Sequence, residues 1–103
     1  MHEMKNIFDI NSQTNEAWLS EILGDINSNP VFVRIMREVE APFHIHEKSD
    51  EMFIVLEGEL HIDMKESSVV LKRGESFTVV AGTEHRARVP EFVRLVVIGG
   101  RDA

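Results

Sequence analysis

The chain has 103 residues and a mass of 11.8 kDa, enough for one compact domain with its own core and too little for a second. It contains no cysteine, so disulfides and thiolate metal sites are excluded. Lys and Arg number 11 against 18 Asp and Glu, a formal net charge of -7; that surplus repels phosphate backbones and anionic membrane surfaces, leaving small molecules and metal cations as the expected partners, with no nucleic acid and no membrane.

The first residues, Met1-His2-Glu3-Met4-Lys5-Asn6, have no basic flank leading into an apolar stretch, unlike a secretory signal. No apolar run nears the roughly 20 residues that cross a bilayer. A soluble, cytoplasmic protein is the expectation. Residues 1–30 read as an N-terminal arm, in which Trp18, Leu19, Ile22, Leu23 and Ile26 recur at helical spacing after a cap at Thr14 or Asn15. Gly24 would end such a helix early, so a short helix and an extended arm are both open. Either must lay its apolar side chains on the body of the domain or on a partner subunit, with Trp18 and Ile22 as candidate contacts.

Valine and isoleucine far outnumber leucine, and β-branched side chains suit a pleated, half-buried surface. From Val31 onward, short apolar segments alternate with turn signals, the spacing of an antiparallel barrel or sandwich over residues 31–98. Leu60, Ile62 and Met64 share one face of a strand, and His61, Asp63 and Lys65 share the wet one. Turns are expected at Glu57-Gly58, Glu66-Ser67-Ser68, Arg73-Gly74 and Ala81-Gly82-Thr83, and Pro90 breaks the ladder before the last strand. Residues 99–103 read as a tail.

The chemistry concentrates in Pro42-Phe43-His44-Ile45-His46-Glu47-Lys48-Ser49-Asp50-Glu51-Met52-Phe53. Residues two apart in a strand project from one face, so His44 and His46 present adjacent imidazoles, a metal-chelating pair. After a polar connection, Glu51 opens the next strand and can turn its carboxylate to the same face. Phe53 and Val55 then point inward too, supplying an apolar wall. Later, His85 shares a face with Ala87 and Val89, where a neutral imidazole either bonds a backbone group or joins the first two as a third ligand. Three imidazoles and a carboxylate suit one divalent transition ion, Fe, Mn, Ni, Zn or Cu, and leave positions open if the ion is octahedral. Arg86 and Arg88 alternate away from His85, and His61 lies on the wet face, so neither arginine and not His61 is expected in the site.

These residues resemble the cupin superfamily. Its first motif, a glycine, five residues, HxH, three or four residues, E, six residues and G, is matched by His44, His46, Glu51 and Gly58, with Glu38 standing at the leading glycine. The second motif, a glycine, five residues, PxG, two residues, H, three residues and N, is matched by Gly74, Gly82 and His85, with Val80 at the proline and Val89 at the asparagine. No departure touches a ligand position. The stretch from Asp50 to Leu60, with Thr83-Glu84-His85-Arg86, is similar to small single-domain cupins described as resembling mannose-6-phosphate isomerase. The resemblance implies an all-β, antiparallel double-stranded β-helix (jelly-roll barrel), a metal bound by His44, His46, Glu51 and His85, and a homodimer.

The resulting expectation is a metalloenzyme acting on a small oxygenated substrate, dioxygenase-like or isomerase-like, in a pocket shaped by Phe53, Val55, Phe77, Val79 and Ala87. No catalytic acid or base is identifiable. The alternative is a barrel that holds a sugar or carboxylate ligand without turnover, since one scaffold hosts many functions.

Overall fold

The computed structural model describes residues 2–10 and 15–101. Its regular elements are six strands: β1 (Trp18–Ile26), β2 (Asn29–Glu40), β3 (Glu51–Met64), β4 (Ser68–Lys72), β5 (Ser76–Val79) and β6 (His85–Gly99). They form one antiparallel sheet in the order β1-β2-β6-β3-β4, with β5 on β3. No helix is long and apolar enough to cross a membrane among the described residues.

The segment with helical spacing is a strand. Trp18 to Ile22 pair with Met36 to Phe32, and β1 turns into β2 through Asn27 and Ser28, at φ 51° and 69°. Two central residues at positive φ make the tight hairpin turn whose twist matches that of the strands, and asparagine enters this region more readily than most residues. The extended alternative therefore holds and the helical one fails, because the neighbouring strand rewards an extended backbone more than local periodicity rewards a helix. Thr14 lies outside the described residues, and Asn15 caps no helix.

One core fills the barrel: Met36, Phe53, Val55, Leu60, Ile62, Leu71, Val79, Ala87, Val89, Val93, Leu95 and Val97 are all buried in a single cluster. In β3 the inward residues change from odd numbers (Phe53, Val55) to even ones (Leu60, Ile62). A bulge makes this possible, with register shifts between Val55 and Glu57 and between Gly58 and His61. Glu57-Gly58 is thus a bend inside one strand rather than the expected reversal. Gly58 sits at φ 80°, and a Cβ there would collide with the Phe92 carbonyl. The other three expected turns do connect strands, and Pro90 interrupts pairing on both sides of β6 without ending it.

β2 makes the same kind of correction at Glu38. Its register against β6 shifts between Arg37 and Val39, and Glu38 takes φ 47°, a left-handed conformation usually left to glycine. The position thus keeps the bend that the missing glycine would have provided. On the outer face, the buried Arg94 Nε donates to Glu57 at 2.8 Å, while Nη1 donates to the carbonyls of Ile7 and Ile10 at 2.9 and 2.8 Å. This ties the N-terminal residues to the sheet.

Candidate metal centre

Residues 41–46 run antiparallel to the start of β6. The Ala41 amide donates to Ala87 O at 3.0 Å, and His44 and His85 exchange both backbone hydrogen bonds, at 2.9 and 3.0 Å. The Gly82 amide then holds the His46 carbonyl at 2.9 Å. This pairing turns a two-residue spacing into a shared face. The ring centroids of His44 and His46 lie 4.9 Å apart, those of His44 and His85 4.4 Å, and those of His46 and His85 5.9 Å.

Glu51, the first residue of β3, completes the group. Its Oε1 is 2.8 Å from His85 Nε2 and 3.6 Å from His46 Nε2, and one ligand atom from each of the four residues lies within 4.8 Å of the others. Glu51 and His85 are buried, His46 is half-buried and His44 is exposed, so the group spans from the core to the mouth of the barrel.

Hydrogen bonds orient two of the rings. His44 Nδ1 is 3.2 Å from the Pro42 carbonyl and His85 Nδ1 is 2.9 Å from the Thr83 carbonyl; a carbonyl only accepts, so each Nδ1 carries the proton and each Nε2 is left for the cluster. For His85 the sequence left open a backbone bond or ligation, and the geometry allows both at once. Its Nε2 also faces the Glu51 carboxylate, an arrangement that favours the doubly protonated ring when no metal is bound. Burial pulls the His85 pKa down, but the Glu51 hydrogen bond, the Thr83 carbonyl and the Glu51 charge outweigh it and raise it. Burial likewise pushes the Glu51 carboxyl up, and the His85 hydrogen bond with the charges of His46, His85 and His44 holds it below its usual value. A cation at this point would replace the proton shared between Glu51 and His85.

The donor set therefore fits a divalent transition ion: three neutral-capable nitrogens, one carboxylate, and backbone partners that fix two of the rings. A glycine makes room for it. At Gly100, φ 70°, a Cβ would lie 2.5 Å from Glu51 Oε2. Gly99 and Gly100, read from the sequence as tail, are held by the Gly100 amide donating to Asp50 O at 3.0 Å and line the cavity beside Glu51.

That cavity has a volume of about 300 Å³. Phe53 and Ala87 line it. Val55, Phe77 and Val79 do not: Val55 and Val79 are buried in the core cluster and Phe77 packs against it. Val55 lies one pleat repeat below Phe53, and β5 flanks β3 on the edge away from β6, whereas the cavity opens towards β1 and β2. Those two strands contribute the residues that sequence reasoning missed, Trp18, Phe32 and Arg34. The available signal was Arg34 itself, a charge midway between Phe32 and Met36 on an otherwise apolar face.

A larger concavity, about 580 Å³, lies at the bend between Gly58, Arg73 and Phe92, but no histidine and no buried acid lines it, so the chemistry favours the smaller one. His61 bonds Glu59 at 2.9 Å outside the cavity. Arg86 and Arg88 serve the outer face, where both donate to Asp63 Oδ2, at 2.9 and 2.8 Å.

Comparison with known proteins agrees with this geometry. The cupin domain family matches residues 31–99, which include all four residues of the cluster. The Bacillus subtilis (strain 168) protein YdbB is 37% identical over 97 residues, spanning 93% of this chain and 83% of that protein. Among solved structures, a cupin-2 domain containing protein from Shewanella frigidimarina is similar with a TM-score of 0.84 and 28% identity, over 94% of each chain. A Neisseria meningitidis protein has the same fold, with a TM-score of 0.81 at 23% identity over 94% of this chain and 98% of its own. With an all-β antiparallel barrel, matching motifs at its mouth and these relatives, the chain belongs to the cupin domain family.

Proposed function

We propose that the protein binds one divalent transition metal through His44, His46, Glu51 and His85 and presents it to a small molecule in the adjoining cavity. The observation that carries this reading is the convergence of four ligand atoms within 4.8 Å, two of the rings being oriented by backbone carbonyls. Fe, Mn, Ni, Zn and Cu all suit the donor set. When bound, such an ion supplies Lewis-acid polarisation of a ligand oxygen or, for a redox metal, electron transfer with dioxygen.

The cavity distinguishes between reaction classes. Outside the four ligands, its one ionisable lining residue among the described residues is Arg34, which stays protonated and cannot take up a proton. An isomerase of the kind suggested by the mannose-6-phosphate isomerase resemblance needs a proton carrier. Oxygen chemistry asks of the protein only that it hold the ion and shelter the substrate. The reading is therefore a dioxygenase-like metalloenzyme, with a non-catalytic ligand-binding cupin as the alternative that the same lack of a base favours.

A homodimer belongs to this reading. β1 is an edge strand on which Trp18, at the cavity, and Ile22 and Ile26 are 40, 51 and 64% exposed. A second copy laid on this edge would cover them and close the cavity.

The test is elemental analysis of protein purified without chelator or affinity-tag metal, with His46→Ala and His85→Ala alongside. About one equivalent of metal, lost in both variants, is the expected result. No metal in the wild type, and none taken up on titration, would overturn the metal site and with it the enzyme.

A further inference from the structure

We propose that Arg34 anchors the carboxylate of a small organic acid, whose apolar body lies against Trp18, Phe32 and Phe53 and whose far end faces the histidine cluster. Arg34 differs from Arg86, Arg88 and Arg94 in what it lacks, and unlike Arg37, which has no carboxylate partner among the described residues either, it lines the cavity. Arg86, Arg88 and Arg94 each have a carboxylate oxygen at 2.8–2.9 Å. The Arg34 side chain has a single hydrogen bond among the described residues, from Nε to Ser20 Oγ at 2.8 Å, and no ion-pair partner. Its terminal amino groups are thus unused in a residue that lines the cavity.

The guanidinium is also held in place. Its carbon sits 5.1 Å from the Trp18 ring centroid and 5.8 Å from that of Phe32, so it is stacked and oriented before any ligand arrives. Burial pulls its pKa down and the charge of Glu51, which lines the same cavity, pushes back; arginine remains cationic throughout.

Three features select the ligand class. The planar fork of an arginine matches the two oxygens of a carboxylate. Without a metal the charges of Arg34 and Glu51 cancel, so a dianion such as a phosphate is disfavoured there more than a monoanion. A divalent ion at the cluster, together with Arg34, would outweigh Glu51 and make the cavity attractive to anions in a protein that is acidic overall. Finally, a volume of about 300 Å³ walled by aromatic rings suits a compact, partly apolar acid. The inference rests on the metal reading for the far end of the ligand; the Arg34 end stands without it.

The full chain is titrated by calorimetry with benzoate and with its neutral counterpart benzamide, metal-free and zinc-loaded, beside Arg34→Gln and Arg34→Lys. Zinc-loaded wild type is expected to bind benzoate about tenfold or more tighter than benzamide. Arg34→Gln should erase that preference and Arg34→Lys keep part of it, with zinc affinity the same in all three. Equal binding of the two probes, no binding of either, or a benzoate preference that survives in Arg34→Gln would overturn the proposal. If zinc does not bind the wild type, the metal reading fails on its own. The metal-free titration then decides: a benzoate preference that Arg34→Gln removes upholds the anchor, and its absence sinks it. Should Arg34→Gln melt below the working temperature, Arg34→Lys carries the comparison, an unchanged benzoate preference counting against a planar fork.

Discussion

At the scale of single residues, the hydrogen bond between His85 and Glu51 is the hinge of the site. It occupies the same lone pairs that a metal would use, so protons and metal compete directly. Metal occupancy is expected to fall as pH drops through the histidine range and to be negligible near about pH 4. A titration showing full occupancy there would contradict ligation by three histidines. Gly100 offers a subtler probe. Gly100→Ala forces a methyl group onto the Glu51 carboxylate and strains a left-handed backbone, so zinc affinity should drop about 10- to 100-fold, as it does when a ligand's supporting contact is lost. Calorimetry on folded variant protein measures it, and unchanged affinity would show that Glu51 can retreat without cost.

At the scale of elements, the long strands depend on two residues that bend them, Gly58 and Glu38, and on Asp63, which fastens them. Gly58→Ala places a methyl group into the Phe92 carbonyl at positive φ, and a loss of about 3 kcal/mol or more in denaturant unfolding is expected. Glu38 argues in the opposite direction. A non-glycine residue held left-handed stores about 1–2 kcal/mol, of which glycine's extra freedom in the unfolded chain returns a part, so Glu38→Gly should stabilise the fold by about 0.5–1 kcal/mol. Asp63 fastens β3 to β6 from outside, accepting from Arg86, Arg88 and Ser68. Asp63→Asn should cost about 1–2 kcal/mol, towards the lower end because both arginines are a quarter to a third exposed.

For the molecule as a whole, Asp63 also sets a pH limit. The Arg88 hydrogen bond, against the opposing pull of burial and with help from Ser68 and Arg86, holds its carboxyl well below the usual carboxylate range. A depressed carboxyl stabilises the fold above its unfolded value, about 3.9, and that contribution disappears as pH falls towards the folded one. The melting temperature of wild type should therefore fall below about pH 4 more steeply than that of Asp63→Asn. Light scattering addresses the exposed β1 edge: a mass near twice 11.8 kDa is expected, and a clean monomer would leave Trp18, Ile22 and Ile26 in water.

Local rules were sufficient for the all-β class and for the His44–His46 pair, whereas the full set of four with Glu51 and His85 came from the resemblance to the cupin motifs. β-branched composition and period-two alternation mark strands wherever they occur, and a two-residue spacing is enough to put His44 and His46 side by side, whereas the pairing of residues 41–46 with the start of β6 is what brings His85 to them. The β1–β2 hairpin was not read from the sequence, because periodicity over Trp18 to Ile26 pointed elsewhere and an isolated segment does not reveal the strand it will pair with. Only the tertiary structure decided that β3 bends at Gly58 instead of turning, that Val55, Phe77 and Val79 fill the core while Trp18, Phe32 and Arg34 line the cavity, and that Gly100 lies against Glu51. Each of these depends on which strands become neighbours, and a bulge of one residue is enough to exchange the two faces of a strand.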